Sequence, residues 1–209
     1  MPFMPLTANV YVDGFNFYYG CLKGTKYKWL DFSKLCQLLL PNNTIGKIRY
    51  FTAPVVSRAS DPQQGQRQQT YLRALRTIPN LSIIEGHFSV KNVWMMKSDN
   101  SGTVRVIKTE EKGSDVNLAS YILTDAYDNL YDVAVIISND SDLEYPISYV
   151  KSRLGKIVGL LNPHPHPSVV LMRHKDFYKP IRASVLAASQ FPDQMADSAG
   201  TFHCPSVWR

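Results

Sequence analysis

Two aspartates stand directly after apolar runs. Asp13 follows Ala8-Asn9-Val10-Tyr11-Val12, and Asp140, with Asn139 before it and Asp142 after, follows Val133-Ala134-Val135-Ile136-Ile137-Ser138. A third acid, Asp115, sits at the start of a helical pattern that precedes the second run. If both runs are neighbouring parallel strands, three carboxylates from distant positions converge at one sheet edge, where open α/β sheets bind ligands. Two carboxylates about 4 Å apart repel by roughly 4 kcal/mol at an effective dielectric of 20. Either one takes up a proton or a cation fills the gap. Oxygen ligands without His or Cys suit Mg²⁺ or Mn²⁺. Such ions activate water and neutralise charge on a phosphodiester. The bland alternative is that each Asp forms a turn or caps a helix, and for Asp142 the two readings are balanced.

The elements that must hold these acids alternate between strand and helix. The β-branched run 133–138 is continuous, which predicts a parallel strand covered on both faces. Strands are also expected at Lys47–Ala53, Leu81–Val90, Val93–Met96, Thr103–Ile107 and Lys156–Leu161, with a hairpin turn at Ser98-Asp99-Asn100-Ser101-Gly102. Helices are expected at Phe15–Cys21, Asp31–Leu40, within Asp61–Thr77, at Ser114–Asn129 and Asp142–Leu154, and in short pieces at Val169–His174 and Ala183–Ser189. Ser114 reads as an N-cap, and Val116, Leu118, Ala119, Ile122, Leu123 and Ala126 as the packed face. The order predicts a doubly wound α/β sheet.

The chain has 209 residues, 44% hydrophobic and 19% charged, which suits one globular domain with a substantial core. Cys21, Cys36 and Cys204 are far apart and odd in number, which predicts reduced thiols rather than a disulfide framework or zinc site. The start lacks a signal-peptide pattern and no run of roughly 20 apolar residues occurs. A cytoplasmic protein without a membrane span is expected. The net charge is +6 and the isoelectric point about 9.2, which favours a polyanionic partner. No phosphate-binding Gly-rich loop, dinucleotide fingerprint or Gly-x-Ser-x-Gly turn is present, so nucleotide-driven, dinucleotide-dependent and serine-hydrolase chemistries drop away.

The segments Tyr11-Val12-Asp13-Gly14-Phe15-Asn16, Glu111-Lys112-Gly113-Ser114-Asp115-Val116 and Ile137-Ser138-Asn139-Asp140-Ser141-Asp142-Leu143 together resemble the three motifs of the NYN domain family, PIN-like nucleases that include LabA-like bacterial proteins. The similarity extends through Tyr50-Phe51-Thr52-Ala53 and Arg67–Leu72. The resemblance implies an α/β, Rossmann-like PIN-type three-layer fold with a mostly parallel sheet. The similarity runs from about residue 8 to at least 161; the domain bounds 1–189 and the irregular tail 190–209 are read from the residues themselves. The resemblance further implies a Mg²⁺- or Mn²⁺-dependent ribonuclease in which Asp13, Asp115 and Asp140 ligate metal. Asn16 would support Asp13 or a metal water, and Asp142 would be a fourth acid. The alternative is a catalytically silent RNA-binding or scaffold module.

Lys112 is a candidate for meeting a phosphate. Arg67, Arg73 and Arg76 on one helix, and Lys91, Lys97, Arg105 and Lys108 on the ribbon, are candidates for a strand-binding groove, though a charged face is usually a solvated one. Tyr18 and Tyr19 are the candidates for stacking on bases. His164 and His166, alternating with prolines, read as a rigid surface loop rather than as a base or ligand. Oligomeric state is left open.

Overall fold

The computed structural model describes residues 4–57 and 59–209. Strand β1 (Thr7–Asp13) leads into a short helix α1 (Gly14–Phe17), which continues as one wider turn over Tyr18–Leu22. Helix α2 (Phe32–Leu39) begins at Asp31, whose carboxylate accepts the amides of Ser33 and Lys34. Then come β2 (Thr44–Thr52), α3 (Gln64–Leu75), β3 (Leu81–Glu85), the ribbon strands β4 (His87–Met96) and β5 (Thr103–Lys112), and α4 (Ser114–Tyr127). The second half runs β6 (Val133–Ile137), α5 (Glu144–Ser152), β7 (Ile157–Asn162), α6 (Val169–Met172), β8 (Phe177–Pro180) and α7 (Ala183–Ala188). Strands β9 (Gln194–Asp197) and β10 (Gly200–His203) close the chain as an antiparallel pair.

Six strands form one sheet in the order β3-β2-β1-β6-β7-β8, and every pairing is parallel. The chain winds outward from β1 through β2 and β3, then returns to β6 on the other side. The order therefore reverses between β1 and β6, the crevice where such sheets bind ligands. Successive side chains of these strands feed two cores. Ala8, Val10, Val12, Ile48, Tyr50, Val133, Val135 and Ile137 pack on one face with α2 and α3; Tyr11, Phe51, Ala134 and Ile136 pack on the other with α4 and α5. This is the three-layer α/β arrangement expected, and all five residues of β6 are buried.

Several expectations need correction. The run 81–90 is two strands, broken at Gly86. Its amide donates to Thr52 O, and a Cβ there would lie 2.5 Å from both Glu111 Oε1 and Lys112 O. Only glycine allows that approach, and there the chain leaves the sheet for the β4–β5 ribbon. Ser114 does not cap α4: Gly113, at φ 97°, takes the cap position, and Glu111 Oε1 accepts both the Ser114 amide and its hydroxyl. Val116 lies on the open side of α4, at 70% exposure, because the 3.6-residue period turns it away from Leu118 and Ile122. Strand β8 is an element beyond those expected: its two β-favouring residues, Phe177 and Tyr178, form too short a run before Pro180 to announce a strand.

The tail is not irregular. Phe191, Phe202 and Cys204 are buried, and Trp29 packs against Phe191, Phe202 and Trp208. Trp29 Nε1 donates to Pro192 O, and Arg73 holds Asp197 with two hydrogen bonds. Aromatic residues spread through 191–208 supply an anchor that no periodicity announces.

Candidate active site

Asp13 ends β1 and Asp140 follows β6, and the two strands are paired through Val12↔Ile137. The adjacency that the sequence could only suppose is therefore present. Asp13 is 6% exposed. One carboxylate oxygen accepts the Asn16 amide at 2.9 Å and the other accepts the Ser138 hydroxyl at 2.9 Å. Ser138 Oγ in turn accepts the Asp140 amide at 3.1 Å. The Asp140 carboxylate accepts the Asp142 amide at 3.0 Å and so begins the turn Ser141–Leu143.

Asn16 ties this turn to its surroundings. Its Oδ1 accepts the Asn139 amide at 3.0 Å and stands 3.0 Å from His164 Nε2. An oxygen that already accepts one hydrogen bond places the hydrogen of this pair on His164 Nε2. Asn139 fixes the loop after β7, donating to His166 O and accepting the Ser168 amide.

Asp13, Asn16, Asp115, Asp140, Glu111 and His164 all line one cavity of about 590 Å³. Phe15, Phe88 and Thr109 complete the ribbon side, with Phe15 edge-on to Phe88 at 5.8 Å. Burial pushes the Asp115 carboxyl up to about 6, helped by the charges of Asp13, Asp140, Glu111 and Asp142. Asp13 is also raised, chiefly by burial; the Asn16 and Ser138 hydrogen bonds oppose this, while Asp140 and Glu111 add to it. The site is thus a pocket of excess negative charge.

The acids offer oxygen donors, which fit Mg²⁺ or Mn²⁺, while the His164 imidazole at the same wall is engaged with Asn16 through Nε2. Among the described residues no three His, Cys, Asp or Glu side chains are gathered as a ready cage. The acids ring a roomy cavity instead of meeting at a point. That spacing fits an ion that keeps several waters and takes one or two carboxylates directly, as Mg²⁺ does.

The remaining candidates divide. Asp142 is exposed and outside the cavity wall, and Asp140, not Asp142, caps the following turn. Lys112 pairs with Glu110 at 3.1 Å. Arg67 pairs with Asp61, Arg73 with Asp197, Arg76 with Glu85 and Lys108 with Glu110. The basic residues of α3 are therefore engaged with acids of this chain. Among the described residues Lys91, Lys97 and Arg105 on the ribbon carry no ion pair and are exposed. Arg67, Tyr18 and Tyr19 line a second cavity beside the first.

Two cavity residues escaped the sequence reading. His164, expected in a rigid surface loop, is half-buried at the cavity wall, whereas His166 is exposed. Glu111 lay within the second motif but drew no role. Its spacing to Ser114, an acid three residues ahead of a serine at a helix start, was the available signal.

Comparison with known proteins agrees with this architecture. The NYN domain family matches residues 7–182. The chain is 32% identical to 6-hydroxy-3-succinoylpyridine 3-monooxygenase HspA of Pseudomonas putida (strain DSM 28022 / S16), covering 90% of this chain and 71% of that protein. The crystal structure of a protein of unknown function from Vibrio parahaemolyticus superposes with a TM-score of 0.59 at 16% identity, covering 86% of this chain and 94% of that one. Among the described residues no helix is long and apolar enough to cross a membrane. With its six-stranded parallel sheet and three motifs at one edge, the chain belongs to the NYN domain family.

Proposed function

We propose that this chain is a Mg²⁺- or Mn²⁺-dependent ribonuclease that hydrolyses RNA phosphodiester bonds in the acidic cavity. The observation that carries the reading is the placement of Asp13, Asp115 and Asp140, from three separate elements, around one cavity at the reversal point of the sheet. Asp13, Asp115 and Asp140 would hold the ion. When bound, it supplies positive charge for the phosphate and lowers the pKa of water.

The chain's own residues supply the rest. Ser138 and the Asn16 amide fix the Asp13 carboxylate, so its orientation costs nothing when an ion or substrate arrives. Asn16, held by Asn139 and His164, locks the first turn against the loop after β7. Asp115, raised to about 6 by burial and the neighbouring acids in the metal-free protein, would give up its proton as an ion takes its place among them. Asp142 acts at a distance, through its charge on Asp115. Lys91, Lys97 and Arg105 are the cations best placed to meet an RNA strand running along the ribbon.

The test is incubation of the purified protein with labelled single-stranded RNA, with Mn²⁺ or Mg²⁺, with chelator, and as the Asp140→Asn variant. Cleavage that needs the metal and Asp140 supports the reading. Undiminished cleavage by the variant overturns it, and tight binding without cleavage at either metal makes the chain a silent RNA-binding module.

The Pseudomonas relative favours a second reading, oxygenation of a heteroaromatic ring. Monooxygenation takes one atom of O₂ into the ring and reduces the other to water with two electrons from a donor. Oxygen uptake dependent on a hydroxypyridine and an added two-electron donor, with no RNA cleavage, would select it.

A further inference from the structure

The second cavity, about 470 Å³, opens beside the acidic one and shares Phe15, Tyr19, Val55 and Gln64 with it. Its size falls in the range of small-molecule sites, about 300–1,000 Å³. Its walls are aromatic: Tyr18, Tyr19 and Trp208 stand around it with Tyr50 at its inner end.

Tyr50 is the telling residue. It is 7% exposed, on β2 beside Val12 of β1, and so next to Asp13. Buried hydroxyls are almost always paired, and Tyr71 in the same wall follows the rule by donating to Leu30 O. The Tyr50 hydroxyl has no protein hydrogen-bond partner among the described residues, and it is not one of the buried unpaired atoms (those are on Asn9 and Ser189), so it is open to the cavity that Tyr50 lines. Gln64 and Lys28 line the same space and likewise carry no side-chain hydrogen bond or ion pair among the described residues. Rings on the sides, an unpartnered hydroxyl at the end and free polar groups at the wall suit a flat ligand with hydrogen-bonding edges. An aliphatic chain would leave those polar groups unsatisfied.

The geometry points to this cavity as a subsite for one planar heteroaromatic ring carried beside an anionic group that sits in the acidic cavity. Resting on the ribonuclease reading, the ring is the nucleobase next to the phosphate under attack. Stacking on Tyr18 or Trp208 would hold its faces, and Tyr50 with Gln64 its edge.

The test measures binding, so that it does not depend on cleavage. With Mg²⁺ present, purified protein is titrated calorimetrically with nucleoside 5′-monophosphates, with ribose 5-phosphate, and with 6-hydroxynicotinate as a free heteroaromatic acid. At least one nucleotide is expected to bind about tenfold or more tightly than ribose 5-phosphate. Tyr50→Phe removes only an unpartnered hydroxyl, so its melting temperature should match or exceed the wild type. It should still lose several-fold of the nucleotide's advantage, and Tyr18→Ala most of it. If 6-hydroxynicotinate binds with the same dependence on Tyr50 and Tyr18 while nucleotides gain nothing over ribose 5-phosphate, the ring subsite stands and the nucleobase is overturned as its occupant. If no ring gains affinity, or the gain survives both variants, the proposal falls. Base-dependent binding in a protein that cleaves no RNA would overturn the ribonuclease reading and leave the subsite in place.

Discussion

His164 Nε2 and Asn16 Oδ1 stand 3.0 Å apart, joining the loop after β7 to the turn after β1. A residue of the Pro-rich loop thereby braces the segment that orients Asp13. Because His164 touches the cavity but acts through Asn16, it is a positioning residue. His164→Ala should lower kcat for metal-dependent RNA cleavage by about 10–100-fold, the usual range for groups that orient ligands. The KM should change little, and His164→Gln, which keeps a donor, should recover part of the rate. A purely structural role would instead lower the melting temperature with no selective effect on kcat.

Asp13→Asn and Asp140→Asn should abolish cleavage and keep the fold. Circular dichroism and thermal melting would confirm folding while the RNA assay reads activity. Since Asp13 is buried with its charge already disfavoured, Asp13→Asn should melt no lower than the wild type in chelator.

Asp115 gives a pH signature. Its folded-state pKa, about 6, lies above the ordinary 3.8, so between those values the folded protein holds a proton that the unfolded chain has released. Stability from this group is therefore present below about pH 4 and is lost as the pH rises through 6. Melting in chelator should show the wild type falling relative to Asp115→Asn between pH 5 and 7.5. Mn²⁺ at pH 7.5 should reverse the loss in the wild type and not in the variant, and apparent metal affinity should weaken below pH 6. Parallel melting curves for the two proteins would refute this.

Asp125 lies far from the cavity in sequence logic and matters for stability. It is 3% exposed, takes two hydrogen bonds from Arg49 and accepts the Tyr11 hydroxyl at 2.8 Å. Asp125→Ala leaves a partly buried guanidinium and a buried hydroxyl unpaired. Urea denaturation should show a loss of about 3–5 kcal/mol.

The C-terminal hairpin should prove integral. Phe202 is buried against Trp29 and lies under the Arg73 guanidinium, 4.3 Å from the ring centre. Phe202→Ala should cost about 3–5 kcal/mol. At roughly 2–4 °C per kcal/mol for a chain of this size, melting would drop by about 10 °C. A change under about 2 °C would mean that the tail is peripheral.

The sequence by itself determined the alternation of strand and helix from β1 to β7, though not β8, the β9–β10 pair or the break at Gly86, because side-chain period and β-branched runs are local properties that Val133–Ile137 and Leu118–Ile122 display openly. It also determined that Asp13, Asp115 and Asp140 belong to motifs, and that any ion they hold must accept oxygen ligands. Only the tertiary structure decided that β1 and β6 are neighbours, which is a matter of strand order and not of strand identity. It alone spent the arginines of α3 on partners as remote as Asp197, turned Asp142 outward, folded residues 191–208 onto Trp29 and brought His164 to Asn16. The pairings of Arg73 with Asp197, Trp29 with Phe191 and Asn16 with His164 join residues more than 100 positions apart, and local spacing carries no record of them.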